Sequence, residues 1–186
     1  IAPELYLKKL LVGGFEKVYE INRSFRNEGI SVRHNPEFTM LEVNQANSDC
    51  QGMMDLLREL MTVAAQEVMG GLTFTYQGQR IDLSEWKQVS LCGLLQEHFG
   101  ILPDDPQRIW VEKLRARGIT LETDKVSRTQ LINLVAELIE PAAQDHPVFV
   151  VDFFAELCPL AKKKKDNPLL TERFELFLGG MEIANA

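Results

Sequence analysis

Apolar and polar positions change period several times along the chain, and each change marks an element. Leu5, Leu7, Leu10 and Leu11 recur at helical spacing between Pro3 and Val12. A proline in the first turn suits a helix start, and Gly13-Gly14 ends it. From Lys17 to Phe25 the period is two: Val18, Glu20, Asn22 and Ser24 face one way, Tyr19, Ile21, Arg23 and Phe25 the other. This predicts a strand with one unusually polar face. A loop from Gly29 to Pro36 follows, and Glu37 to Asn44 alternates again, with Phe38, Met40, Glu42 and Asn44 on one face. Two strands and a long loop make an antiparallel hairpin.

Ser48 to Gln51 reads as a capping box that opens a helix through Met53, Leu57, Leu60, Met61, Ala64 and Val68, closed by Gly70-Gly71. Its methionines are core packing. Leu72 to Leu83 predicts a hairpin turning at Gln77-Gly78, and Ser90 to Phe99 a short helix. Asp105-Pro106 supplies an N-cap and a first-turn proline for a helix to about Arg117, ended by Gly118. A second capping box, Ser127 to Gln130, starts a helix whose buried stripe is Leu131, Leu134, Val135, Leu138 and Ile139, with Pro141 in its last turn or kinking it. Val148 to Phe153 is an unbroken apolar run of strand length, hence a buried strand. Ala161 to Asn167 is a lysine-rich loop, and Arg173 to Ala186 a hairpin turning on Gly179-Gly180. The expected fold is one α+β domain, an antiparallel β-sheet flanked by helices.

Composition mostly adds exclusions. The 186 residues, 45% hydrophobic and 25% charged, suffice for one domain with a sizeable core. A net charge of −7 argues against a dedicated nucleic-acid surface, which needs clustered cations. Cys50, Cys92 and Cys158 are odd in number, widely spaced and form no CxxC pair, which fits a reducing compartment, the cytoplasm, rather than a disulfide framework or zinc site. No signal peptide or bilayer-length apolar run is present. The chain opens on IAPELY without an initiator Met and ends in mid-pattern, so it is expected to be part of a longer protein.

Chemistry is concentrated in two hairpins. Across a two-residue turn at Gly179-Gly180, Leu178 pairs with Met181, Phe177 with Glu182 and Glu175 with Ala184. Glu175 and Glu182 then share a face as diagonal neighbours about 7–8 Å apart at the backbone. Two such carboxylates can converge on a hard cation, with Mg²⁺ bridging to phosphate oxygens the usual tenant; the plainer alternative is a solvated strand face. In the first hairpin Arg26 and Glu28 extend the polar stripe of Glu20, Asn22 and Ser24. Arginine offers a planar fork for phosphate, His34 a hydrogen bond to a phosphate oxygen, and Phe38 a flat face for a purine. The alternative is a surface hairpin laced with ion pairs. The run Lys162 to Lys165 reads as a solvated loop, with contact to a nucleic-acid backbone the other possibility. Nothing near Cys158 in sequence would lower its pKa.

FRNEG (Phe25 to Gly29) and RHNPEFTMLE (Arg33 to Glu42) resemble motif 2 of class II aminoacyl-tRNA synthetases. Together with IAPELY (Ile1 to Tyr6), PLAK (Pro159 to Lys162) and RFELF…GGMEIANA (Arg173 to Ala186), they resemble the bacterial-type class II lysyl-tRNA synthetases. The likeness covers both ends; the middle, about Gly70 to Gln144, matches only in layout. It implies a partial catalytic core in which lysine and ATP give lysyl-adenylate and the lysyl group passes to the 3′ end of tRNA(Lys). Arg26 would bind the α-phosphate and act catalytically. Glu28, Arg33, His34, Asn35 and Phe38 would hold ATP. Glu175 and Glu182 would hold Mg²⁺ against it, and Glu4, Glu42 and Asn185 would line the lysine pocket. A homodimer is implied for the full-length protein.

The resemblance also implies that the upstream dimer motif, the downstream Gly-rich segment with its Arg, and the anticodon-binding domain lie outside these residues, so the segment alone is expected not to activate lysine. Asn44 stands where the family usually has Tyr, and Met181 where it usually has Arg or Lys. Two alternatives stay open: the ligase that lysylates translation elongation factor P, against which the IAPELY opening speaks, and a non-catalytic paralogue using the fold as scaffold. Aspartyl and asparaginyl relatives share the RH…EFT pattern, but the acidic pair Glu4 and Glu42 suits a cationic substrate better.

Overall fold

The computed structural model describes residues 2–27, 29, 31, 34–121, 126–138 and 144–186. The chain divides into two compact units, Ile1–Asp49 and Cys50–Ala186.

In the first unit, helix α1 (Glu4–Val12) packs on the hairpin of β1 (Lys17–Phe25) and β2 (Glu37–Gln45). Pro3 fits the helix start because it needs no donor there, and its carbonyl accepts from Tyr6 N at 2.9 Å and Leu7 N at 3.1 Å. Nine antiparallel pairs run from Lys17↔Gln45 to Phe25↔Glu37. The alternation predicted from sequence is realised, and it sorts the hairpin into two unlike faces. Tyr19, Ile21, Phe25 and Leu41 stay exposed on one of them, with Arg23 ion-paired to Glu37 at 3.5 Å. Among the described residues of this unit only Pro3, Leu7 and Ser24 are buried.

The second unit is built on a four-stranded sheet ordered β5 (Lys87–Ser90), β6 (Val148–Val151), β7 (Phe174–Leu178), β8 (Met181–Asn185). The pair β5–β6 is parallel and the others antiparallel, so the expected antiparallel sheet carries one parallel strand, which the short, half-polar KQVS does not announce. Every residue of β6 is buried, as its unbroken VFVV requires. Helix α2 (Cys50–Met69) covers one face, Met54 packing on Phe149, Val151, Phe174 and Leu176. Helices α3 (Leu91–Phe99), α4 (Gln107–Ala116) and α5 (Arg128–Leu138) meet on the main core, where Leu95, Ile101, Trp110, Leu114, Leu131 and Val135 are closed off from solvent with Val150 and Phe177. Each such side chain contributes about 1.5–3 kcal/mol by burial. The small hairpin of β3 (Thr73–Tyr76) and β4 (Gln79–Asp82) turns on Gln77-Gly78 as predicted and carries a third cluster, Ile81 and Leu83 with Ala65 of α2.

The capping box at α5 is reciprocal: Ser127 N donates to Gln130 Oε1 at 2.8 Å and Gln130 N to Ser127 Oγ at 3.2 Å. At α4 the expected N-cap is displaced by one residue. Pro106, at φ −59° and ψ 146°, flanks the helix. Asp105 instead accepts from Leu102 N at 2.9 Å and Lys113 Nζ at 2.7 Å, which hold its carboxyl below the usual range. Ile139 and Pro141 lie outside the described residues.

The last hairpin needs a correction. Gly179 and Gly180 sit at φ 60° and 76°, the left-handed pair a two-residue turn demands. Leu178 pairs with Met181 and Phe177 with Glu182, as expected. A β-bulge between Leu176 and Phe177 then shifts the register, so that Glu175 lies opposite Asn185 and not Ala184. Ile183 is the extra residue on β8, a device that sequence alternation cannot reveal.

Candidate active site

On the polar face of the first hairpin the register stacks four rows: Ser24 with Phe38, Asn22 with Met40, Glu20 with Glu42, and Val18 with Asn44. Hydrogen bonds run along the strands. Ser24 Oγ, 1% exposed, donates to Asn22 Oδ1 at 3.1 Å, and Asn22 Nδ2 donates to Glu20 Oε1 at 3.1 Å. On β2, Asn44 Nδ2 donates to Glu42 Oε1 at 3.4 Å. Two half-buried carboxylates thus face each other, each steadied by an amide two residues along its own strand. Among the described residues neither has an ion-pair partner.

Arg26 stands at the loop end of this stripe. Its N–H donates to Pro36 O at 3.0 Å, which continues the pairing one step past Phe25. Its guanidinium carbon lies 5.3 Å from the Phe38 ring centre. His34 is exposed, its Nδ1 2.9 Å from Ser31 Oγ. Asn35 is exposed. Glu4 is paired with Lys8 one turn along α1, on an exposed helix face. Glu28 and Arg33 lie outside the described residues.

In the second unit, the bulge in β8 decides the geometry. Glu182 and Asn185 are three residues apart, a spacing that puts side chains on opposite faces of a regular strand. With Ile183 as the extra residue they share one face, and Asn185 Nδ2 donates to Glu182 Oε1 at 2.8 Å. Glu175, opposite Asn185, belongs to the same face. Its Oε1 accepts from Arg173 Nη2 at 2.5 Å.

Among the described residues no group of three or more His, Cys, Asp or Glu could hold a metal ion. A closed protein cage is therefore not built from them, but Mg²⁺ does not need one: it takes one or two carboxylates and fills the rest of its octahedron with phosphate oxygens and water. The donor set Glu175 and Glu182 fits that habit.

Sequence reasoning missed Glu20 as the neighbour of Glu42, because a long loop leaves the register of its two strands unspecified. It also missed Arg173, whose only signal was its place two residues before Glu175, just ahead of β7. Of the four-lysine run, Lys164 is tied to Asp152 at the end of β6, while Lys162, Lys163 and Lys165 are exposed.

The described residues contain no helix long and apolar enough to cross a membrane. The family model for class II tRNA synthetases (D, K and N) matches residues 1–186. Among curated proteins, the chain is 49% identical to the lysine–tRNA ligase of Carboxydothermus hydrogenoformans, 46% to that of Thermotoga maritima and 48% to that of Pelotomaculum thermopropionicum. Each likeness covers all of this chain but only 37–38% of the relative, so the chain spans little more than a third of their length. The match along every residue, on an α+β framework of the expected kind, makes the chain a member of the class II tRNA synthetases of the D, K and N group.

Proposed function

We propose that this chain is part of the catalytic domain of a lysine–tRNA ligase that makes lysyl-adenylate from lysine and ATP and passes the lysyl group to tRNA(Lys). The observation that carries the reading is the polar face of the β1–β2 hairpin, set in a chain 43–49% identical along its whole length to lysine–tRNA ligases. The rows of Phe38 and Glu42 are four residues apart on β2, about 14 Å at roughly 3.4 Å per residue. An aminoacyl-adenylate needs a span of this order between its purine and the end of a lysine side chain.

Arg26 is the group that binds the α-phosphate. Its contact with Phe38 is an exposed cation–π pair, worth about 0.5–1 kcal/mol. A charge-assisted fork on phosphate is stronger, so ATP draws the guanidinium off the ring and leaves Phe38 to the adenine. As the lysine carboxylate oxygen attacks the α-phosphorus, the new P–O bond forms and the bond to the pyrophosphate oxygen breaks. Arg26 stabilises the charge that gathers on the phosphoryl oxygens. A ribose hydroxyl of the tRNA 3′ end then attacks the lysyl carbonyl and AMP leaves.

His34, Asn35, Glu28 and Arg33 hold the rest of ATP. Glu42, with Glu4 and Asn185, takes the lysine. Asn44 stands in for the family's usual Tyr by donating to Glu42. Glu175 and Glu182 are the residues to hold Mg²⁺, which when bound neutralises phosphate charge. The full-length protein adds a dimer motif, a Gly-rich ATP-site segment and an anticodon-binding domain, and works as a cytoplasmic homodimer.

The test is lysine-dependent ATP–pyrophosphate exchange by the full-length enzyme. Arg26→Ala should slow it by about 10²–10³. A loss below tenfold removes Arg26 from this role, and the absence of lysine-dependent exchange in the unaltered enzyme removes the whole reading.

A further inference from the structure

Arg173 makes three contacts at once. Its Nη2 donates to Glu175 Oε1 at 2.5 Å, its Nη1 donates to Cys158 Sγ at 3.1 Å, and its guanidinium carbon lies 4.9 Å from the Phe153 ring centre. Cys158 is 5% exposed and Phe153 also 5%, both fixed in the main core. The guanidinium plane is therefore set by groups on the connection between β6 and β7, independently of Glu175. Arg173 immediately precedes β7, two residues before Glu175, so the carboxylate meets a donor whose direction is already decided. The side chains are 28% and 16% exposed, which limits the competition from water.

Only an arginine can do this. A lysine places one point charge; the planar fork serves two acceptors in different directions while its face rests on a ring. On the neighbouring strand and the same face, Asn185 Nδ2 donates to Glu182 Oε1.

We infer that Arg173 is the positioning residue of the candidate cation site: braced by Phe153 and Cys158, it fixes the Glu175 carboxylate so that the cation and the ATP phosphates meet it in one orientation. The inference rests on the reading of Glu175 and Glu182 as Mg²⁺ ligands. A guanidinium beside a ligand carboxylate repels a cation as well as ordering its ligand, and here the ordering dominates, because the brace keeps Arg173 in place whether or not the cation is bound.

The experiment uses the full-length enzyme with Arg173→Met and Arg173→Lys. Mn²⁺ binding is followed by electron paramagnetic resonance in the presence of a non-hydrolysable ATP analogue, and the Mg²⁺ dependence of ATP–pyrophosphate exchange is measured in parallel. For Arg173→Met, Mn²⁺ affinity should fall at least threefold and the half-saturating Mg²⁺ concentration rise by a similar factor. The exchange kcat should drop tenfold or more while KM for lysine stays within twofold. Arg173→Lys, which keeps the charge and packs on Phe153, should recover part of the kcat loss and less of the Mn²⁺ affinity.

Unchanged Mn²⁺ affinity in both variants overturns the inference. So does tighter Mn²⁺ binding, which would make Arg173 a competitor of the cation. If Arg173→Met does not fold, Arg173→Lys decides alone: kcat and Mg²⁺ requirement both within twofold of the parent overturn it. Failure of the unaltered enzyme to bind Mn²⁺ with the ATP analogue would instead refute the metal-site reading and leave the brace as a fold contact.

Discussion

Glu20 and Glu42 lie directly opposite each other across β1 and β2. Like charges so placed repel across a strand pair, and the amide beside each carboxylate steadies it without removing that repulsion. On the proposed function, the cation that relieves this repulsion is the lysine ammonium. In the full-length enzyme without lysine, Glu20→Gln should therefore raise the thermal midpoint, and saturating lysine should close the gap to the parent. A variant that melts below the parent without lysine would mean that the pair is not in conflict. Cys92 points the other way. Burial, then the Asp152 charge, pushes its thiol up to about 12, which keeps it protonated at neutral pH. Its Sγ–H instead donates to Asp152 O at 3.5 Å.

The elements were legible where a local rule is self-sufficient. Ser127 and Gln130 define the start of α5 by themselves, and the reciprocal bonds are there. Ser127→Ala should cost about 1 kcal/mol, measured by urea unfolding, because one N-terminal donor loses its acceptor; a change below about 0.3 kcal/mol would mean that water replaces the cap fully. The polar stripe of β1 and the turn at Gly179-Gly180 were equally readable, since alternation and paired glycines are local signals. What escaped was everything set by a partner. The β5–β6 pairing is decided by the buried run in β6, not by KQVS itself. The bulge at Ile183 has no sequence code, yet it brings Glu182 and Asn185 to one face. Asp105 carries a sound capping signature but is held by Lys113 and Leu102, a tertiary preference that overrides the local one.

At the scale of the whole chain, the two units differ in how they are held together. Residues 50–186 contain three clusters of buried side chains, while the described part of residues 1–49 buries only Pro3, Leu7 and Ser24. A piece of this size with so few buried side chains is marginal by itself. Expressed separately, residues 50–186 should unfold cooperatively in denaturant and residues 1–49 should show no transition; a cooperative transition in the shorter piece would mean that its hairpin face needs no support. The outer face of that hairpin, Tyr19, Ile21, Phe25 and Leu41, has a colloidal consequence. Around neutral pH the net charge of −7 keeps copies of the chain apart. Near the sequence isoelectric point of about 5.1 that repulsion vanishes, and the exposed apolar face should become self-adhesive. Mild acid is therefore the condition under which this chain should precipitate, read as turbidity while pH is lowered through the isoelectric point; a solution that stays clear there would mean that the exposed face does not self-associate.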